Sequence, residues 1–149
     1  MRYFAGNRLA GYHYQGIGDF VLREGRFFEP EPLPINIKRR PIQHCFRNTL
    51  RTAMKTGLRY VKGYALLVDG ATPTLHAWNA SPDGFAIDAT WDPTGKIYFG
   101  VVFPLSLVRR PKGSLLSVLD DWQREWPILR EPFCNSAKAV ESAQQESRF

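Results

Sequence analysis

Two β-rich segments joined by a four-residue turn constrain the fold of this chain more than any other feature. Residues 74–80 read TLHAWNA and residues 85–90 read FAIDAT, and both are rich in residues that favour strands. Between them lies Ser-Pro-Asp-Gly at 81–84, a composition typical of a turn. The pattern therefore predicts an antiparallel hairpin.

The hairpin is expected to bring a histidine and an aspartate together. If the turn is centred on Pro82, residues whose numbers sum to 164 are opposed, so His76 faces Asp88 and Trp78 faces Ala86. Opposed residues have Cβ atoms about 4.5–5.5 Å apart. Asp88 interrupts an apolar strand, where an unpaired carboxylate is costly. We expect it to accept a hydrogen bond from the imidazole, which leaves the other ring nitrogen for a thiol; a slip of one residue would separate the pair.

A helix with a cysteine in its first turn is predicted before the hairpin. It covers residues 44–56, ends at Gly57 and begins next to Cys45. Its apolar face carries Phe46, Leu50, Ala53 and Met54. The free amides of a helix N-terminus carry partial positive charge, which stabilises a thiolate and can bind an oxyanion. A cysteine at such a position can also be a small buried core residue.

Two segments upstream of this helix have distinct patterns. Residues 18–25 fit a short helix that Asp19 caps and that a left-handed Gly25 ends. Residues 26–41 contain four prolines, which predicts an extended connector and argues against a central strand.

Downstream, the chain predicts further strands and one more helix. Residues 58–68 and 97–103 are rich in strand-forming residues. Residues 114–126 fit an amphipathic helix with Ser114 as its N-cap. Residues 135–149 are polar and are expected to form a disordered tail.

Length and cysteine usage bound the class of protein. A chain of 149 residues predicts one domain, over residues 1–134. No apolar run approaches the roughly 20 residues of a membrane span, and no secretory signal is recognisable, so a cytoplasmic protein is expected. Cys45 and Cys134 are then expected to be reduced, although the sequence also allows a disulfide between them. Their spacing indicates no metal site.

The net charge of +6 allows two interpretations. It can reflect a solvated basic surface, or it can indicate an acidic partner such as nucleic acid. The basic residues are spread from Arg39 to Lys112 without interleaved aromatic residues, which favours the first interpretation over nucleic-acid binding.

The order of these residues resembles the transglutaminase-like branch of the papain-like cysteine hydrolases. The shared pattern is a Cys that opens a helix, a Gly-Tyr strand, a His-Ala-Trp strand and an Asp-x-Thr strand, here Cys45, Gly63-Tyr64, His76-Ala77-Trp78 and Asp88-Ala89-Thr90. The resemblance covers residues 42–103, about 40% of the chain. The chain is also similar to small bacterial and phage-type proteins of unassigned role that carry Cys-Phe-x-Asn and Asp-x-Thr-Trp.

This resemblance implies an α+β fold in which the Cys-bearing helix packs on an antiparallel sheet. It implies that Cys45 is the nucleophile, His76 the general base and acid, and Asp88 the residue that orients His76. The implied reaction is cofactor-free acyl transfer at a peptide, isopeptide or carboxamide bond of a protein or peptide substrate. Hydrolysis by a protease, amidase or deamidase is favoured over cross-linking, because no acceptor-amine site is identified and the family's Trp upstream of the Cys is missing.

Several neighbouring residues have two possible roles. Gln43 occupies a position where the family often has Gly; its amide can donate to an oxyanion or can be a polar cap. Trp78 and Trp91 bracket the two strands and are candidates for a substrate cleft, with Trp91 the better one and Trp78 better suited to the core. His44 is a rival base, but adjacent helix residues do not face one another.

An alternative function is a non-catalytic binding protein on the same scaffold. Such a phage- or toxin-related protein would engage an acidic partner through its positive charge.

Overall fold

The chain combines helices with a sheet, so it is α+β as predicted. The computed structural model describes residues 10–108 and 118–134. In chain order its elements are α1 Ile17–Glu24, β1 Arg26–Pro30, α2 Cys45–Thr56, β2 Arg59–Leu66, β3 Thr74–Ala80, β4 Phe85–Ile87, β5 Ile97–Phe103, α3 Leu105–Val108, and two short 3-10 turns at Trp122–Arg124 and Pro127–Leu129.

The five strands close into a barrel in the order β1-β4-β3-β2-β5. Strand β2 pairs in antiparallel fashion with β3 on one side and with β5 on the other. Strand β1 pairs antiparallel with β5 and parallel with β4. The expected antiparallel sheet is therefore correct for most pairs, but the sheet closes on itself and contains one parallel pair.

The connector predicted over residues 26–41 begins as a strand with neighbours on both sides, so this prediction is wrong for its first part. Arg26 to Phe28 pair with β5, and Glu29 and Pro30 pair with β4. Pro30 is the last strand residue and the other prolines follow it. Residues 26–29 therefore keep the amide donors that a strand between two neighbours requires.

The barrel interior is built mainly from strand residues. It contains Phe28, Val61, Ala65, Trp78, Ala80, Ala86 and Tyr98. Side chains of alternate strand residues point outward, and there Tyr60, Ala77 and Val101 pack with residues of α1, α2 and the segment 118–134. The inner faces of the strands thus fill the barrel, and the outer faces of β2, β3 and β5 pack against the helices.

Helix α2 confirms the predicted element and most of its apolar face: Ala53 is buried, and Phe46 and Leu50 pack against the core. Gly57 ends it in the left-handed region at φ 74°. Met54, however, is 54% exposed, and the buried side chains are Asn48, Thr49, Thr52 and Ala53. The helix also meets β3 through polar contacts that the apolar pattern did not predict: Asn79 Nδ2 donates to the carbonyl oxygen of Thr49 at 3.0 Å.

Helix α1 is also present, but its ends differ from the prediction. Gly16 is the N-cap, and the Asp19 carboxylate instead accepts a hydrogen bond from the amide of Gln15 at 2.9 Å. Gly25 is extended, with φ −84°, because the chain passes directly into β1. A Cβ at Gly25 would collide with the carbonyl oxygen of Val21, which explains the glycine.

The helix predicted over 114–126 is not α-helical where the structure describes it. Residues 118–126 contain only the 3-10 turn Trp122–Arg124, and Glu125 and Trp126 have φ angles of 55° and 46°, which a right-handed helix does not allow. Ser114 and the tail 135–149 lie outside the described residues. Among the described helices, none has the length and apolar character needed to cross a membrane.

Gly63 allows the close approach of strands beside the candidate site. It pairs with His76 of β3 and with Gly100 of β5, and a Cβ there would collide with backbone atoms of Phe99 and Gly100. We expect Gly63→Ala to lower the free energy of unfolding by about 1–3 kcal/mol, measured by urea denaturation. Gly70→Ala, in the turn after β2, is the control and should change it by less; equal effects would contradict the packing argument.

Candidate active site

The hairpin of β3 and β4 brings His76 and Asp88 together, although by a different register from the predicted one. Asn79 pairs with Ile87 and Ala80 with Ala86, so the turn is centred on Asp83 and the pairing is shifted by two residues. The predicted opposition of His76 to Asp88 is therefore wrong. Because a shift of two preserves the face on which side chains lie, the pair still meets diagonally, with His76 Nε2 2.8 Å from Asp88 Oδ2.

Asp88 lies just beyond its strand, in a bend that surrounds its carboxylate with donors. Strand β4 ends at Ile87, three residues earlier than predicted. Oδ1 accepts from the backbone amides of Thr90 at 2.8 Å and Trp91 at 3.1 Å. Oδ2 accepts from His76 and from the Tyr98 hydroxyl at 2.8 Å. Four donors thus satisfy a carboxylate that is 1% exposed.

These contacts set the ionisation of Asp88. Burial by itself would raise the pKa of the carboxyl group. The hydrogen bond and charge of His76, followed by the Thr90 amide and the Tyr98 hydroxyl, outweigh burial and hold the pKa below its ordinary value of 3.8. Asp88 is therefore ionised at neutral pH.

His76 is held in one orientation by its neighbours. It is 2% exposed, and its ring stacks on the indole of Trp91 with the centroids 3.9 Å apart and the planes 13° apart. Since Nε2 is engaged by Asp88, Nδ1 is the nitrogen left for a reacting group. Burial lowers the pKa of His76, but the hydrogen bonds and charges of Asp88 and Cys45 outweigh it, so the pKa is raised above 6.5.

Cys45 is the second partner of this ring. It is the first residue of α2, as predicted, and it is partly exposed. After the hydrogen bond of Asp88, interaction with Cys45 is the next cause that raises the pKa of His76, so the thiol lies within interaction range of the imidazole. Strand β4 pairs with β3 only at Asn79 and Ala80, so the first half of β3, where His76 lies, has no β4 partner on that side.

Asn48 ties the helix of Cys45 to the bend of Asp88. It lies one turn after Cys45, is 3% exposed, and donates from Nδ2 to the Pro41 carbonyl at 2.8 Å and to Thr90 Oγ1 at 3.0 Å. Thr90 in turn donates its amide to Asp88. The helix and the carboxylate are thus joined through two residues.

The other predicted site residues lie in different environments. Gln43 is exposed and has φ 71°, a left-handed conformation that suits the glycine typical of the resembled family. Trp91 is partly exposed beside His76. Trp78 is fully buried in the barrel, which gives it a core position and offers no surface to a substrate. His44 is exposed and is the N-cap residue of α2.

Tyr98 and Asn48 are the residues with a place in the site that the sequence did not indicate. Tyr98 occurs in an apolar run, IYFGVVF, and therefore resembles a core aromatic residue. Its hydroxyl donates to Asp88 and accepts from the Gly95 amide at 2.8 Å. Burial and the charge of Asp88 raise the pKa of Tyr98, so the hydroxyl stays protonated and remains a donor.

Both cysteines, Cys45 and Cys134, are free thiols. In residues 10–108 and 118–134, no group of three or more His, Cys, Asp and Glu side chains is arranged to hold a metal ion.

Comparison of the chain with family models, with curated proteins and with solved structures gave no match.

The ion pair of His76 and Asp88 predicts a defined pH dependence of stability. The raised pKa of His76 gives stability that is complete below pH 6.5 and is lost as the pH rises through the folded-state pKa. The lowered pKa of Asp88 gives stability that is present above pH 3.8 and is lost as the pH falls through its folded-state pKa. The pair therefore contributes most between these two ordinary values.

We expect Asp88→Asn to lower the free energy of unfolding by roughly 3 kcal/mol inside this window and by less outside it. Urea denaturation of both proteins over a pH series measures the difference. His44→Gln, which changes an exposed histidine, is the control and should give a flat difference. A flat difference for Asp88→Asn as well would mean that the pair is not ionised.

Proposed function

We propose that this protein is a thiol acyl-transfer enzyme with Cys45 as nucleophile, His76 as general base and acid, and Asp88 as the residue that orients His76. The observation that carries the proposal is that His76 interacts with both of the others: Nε2 is bonded to Asp88, and Cys45 contributes to raising the pKa of the ring. Nucleophile, base and orienting carboxylate in one line form the arrangement that activates a thiol.

In the first half of the reaction, Nδ1 of His76 takes the proton from the Cys45 thiol, and the sulfur attacks the substrate carbonyl carbon. The carbonyl oxygen becomes an oxyanion, and the free amides at the start of α2 are the donors available to it. His76 then gives the proton to the leaving nitrogen as the C–N bond breaks, which leaves a thioester on Cys45.

In the second half, water attacks the thioester and passes a proton to His76. The C–S bond breaks, the sulfur regains the proton, and a carboxylic acid is released. Throughout, Asp88 stabilises the imidazolium and keeps Nε2 protonated, which leaves Nδ1 for proton exchange with the sulfur. An amine in place of water would give cross-linking; we favour hydrolysis of a peptide or carboxamide because no acceptor site is identified.

The motifs of the transglutaminase-like resemblance support this assignment through their positions. The helix-opening Cys45 and the strand-borne His76 are neighbours, and Gly63 of the Gly-Tyr motif pairs directly with His76. We infer that the barrel with α2 on its outer face is a small papain-like or transglutaminase-like core.

The reactivity of the two cysteines tests the proposal. Cys134 is exposed and Cys45 only partly so, so accessibility alone would favour Cys134. We expect iodoacetamide at neutral pH to label Cys45 at least about tenfold faster, because His76 assists formation of its thiolate. The measurement is mass spectrometry of peptides from timed reactions.

His76→Gln is the matched variant and should slow the labelling of Cys45 without changing that of Cys134. Denaturation should abolish the difference between the two cysteines. If both react slowly and at one rate in the folded protein, the enzyme proposal is wrong and the alternative of a binding protein on this scaffold is favoured.

Gln43 provides a separate test of the oxyanion site. Its left-handed backbone costs about 1–2 kcal/mol for a residue with a Cβ. Gln43→Gly should therefore keep the free energy of unfolding or raise it by up to about 1 kcal/mol. If the amide donates to the oxyanion, the same variant should release para-nitrophenol from para-nitrophenyl acetate about 10- to 100-fold more slowly. An unchanged rate would make Gln43 a polar cap only.

A further inference from the structure

Tyr98 is the donor to Asp88 whose presence is not explained by packing alone. Its side chain is fully buried in the barrel, where its ring contacts that of Trp78 with the centroids 5.0 Å apart. A phenylalanine would fill nearly the same volume, and Phe28 already lies in that interior. The hydroxyl needs a separate explanation, because burying a hydroxyl group costs free energy unless it forms hydrogen bonds.

The two hydrogen bonds of this hydroxyl have fixed directions. The backbone amide of Gly95 can only donate, so it takes a lone pair of the Tyr98 oxygen at 2.8 Å. The ionised carboxylate of Asp88 can only accept, so the phenolic proton points to Oδ2 at 2.8 Å. A Cβ at Gly95 would lie 3.0 Å from the hydroxyl oxygen, which shows how closely the chain approaches it. The hydroxyl is thus held as a donor to Asp88.

Tyr98 and His76 donate to the same oxygen atom. Oδ2 of Asp88 accepts from His76 Nε2 at 2.8 Å and from the Tyr98 hydroxyl at 2.8 Å, while Oδ1 accepts from two backbone amides. Two donors on one oxygen share its negative charge, so each interacts with less of it than a single donor would. Tyr98 therefore weakens the attraction of Asp88 for the proton of His76.

We propose that Tyr98 is a positioning residue that acts on His76 through Asp88: by taking part of the carboxylate charge, it keeps the imidazolium acidic enough to protonate a leaving nitrogen. This inference rests on the proposed function and adds a residue that adjusts its general acid. A general acid works best when its pKa is near the working pH. Burial lowers the pKa of His76, but Asp88 and Cys45 already raise it above 6.5, and a carboxylate without a second donor on Oδ2 would raise it further.

Other ionisable groups also surround the pair of His76 and Asp88. Cys45 acts on the ring from the start of α2. Arg39 approaches from the connector before α2, donates to the backbone carbonyl of Asp88 at 3.3 Å and lies 3.7 Å from Asp92. Burial and the charge of Asp88 keep the phenol protonated by raising its pKa, so removal of its hydroxyl leaves all these charges in place.

Tyr14 is a matched control outside the site. It is 1% exposed, and its hydroxyl donates to the Glu24 carboxylate at 2.9 Å and accepts from the Phe133 amide at 2.9 Å. Tyr14→Phe and Tyr98→Phe therefore remove the same group and the same two kinds of hydrogen bond. If Tyr98 were only structural, both variants would lower the urea midpoint and neither would change the titration of His76.

The test is the pKa of His76, measured from the imidazole chemical shifts of the ¹⁵N-labelled full-length protein over a pH series. The chain has three histidines, so His13→Gln and His44→Gln assign the signals. We expect Tyr98→Phe to raise the pKa of His76 by roughly 0.5–1 pH unit, because Oδ2 then has one donor. Tyr14→Phe should leave it unchanged.

A second readout separates this effect from damage to the site. Iodoacetamide needs the Cys45 thiolate but no protonated leaving group, so Tyr98→Phe should be labelled at Cys45 at least as fast as the unaltered protein at neutral pH. The proposal is overturned if the pKa of His76 does not rise in Tyr98→Phe, if Tyr14→Phe raises it equally, or if labelling of Cys45 slows in Tyr98→Phe. A Cys45 that is unreactive in the unaltered protein, together with the expected rise in pKa, would refute the proposed function and support the charge sharing.

Discussion

The buried carboxylate of Asp88 is the interaction on which the rest of the site depends. A charge that is 1% exposed is costly unless donors surround it. The donors of Asp88 come from β3 through His76, from β5 through Tyr98, and from the bend that follows β4. Moving any of these elements would leave a buried charge short of a partner, so the need to satisfy Asp88 fixes the imidazole. The orientation of His76 that the proposed reaction requires is therefore also the one that satisfies Asp88.

The same bend also positions the helix of Cys45, the proposed nucleophile, and the short length of β4 makes this possible. Because β4 ends at Ile87, the chain leaves the sheet and turns, which frees the amides of Thr90 and Trp91 for Asp88. Thr90 then accepts from Asn48, one turn along the helix from Cys45. A longer β4 would use those amides in strand pairing and would cover the first half of β3. The truncated strand is therefore a requirement of the site.

The sequence predicted the elements that depend on local patterns and missed those that depend on distant partners. The turn at 81–84 and the helix at 44–56 follow from residue types alone, and both are present. The predicted register of β3 with β4 was wrong by two residues, because composition does not set the position of the turn centre within Ser-Pro-Asp-Gly. Since the shift is an even number of residues, His76 and Asp88 stayed on one face. Strand β1 was missed because proline content was averaged over a segment whose first residues contain none. Tyr98 and Asn48 were missed because a hydroxyl in an apolar strand and an amide on a helix give no signal until the fold brings them to Asp88 and Thr90.

The environment of His76 is set by the bend after β4 more than by the pairing of the strands. Burial alone would favour the neutral ring, yet the pKa of His76 is raised. Asp88 supplies the opposing charge, and Trp91 adds a parallel indole face at 3.9 Å, a geometry that stabilises a cationic ring over a neutral one. Trp91 also donates its amide to Asp88, so one residue both stacks on the imidazolium and strengthens its counter-ion. A strand pair without this bend would place a histidine beside an aspartate but would give the ring neither a fixed face nor the same rise in pKa.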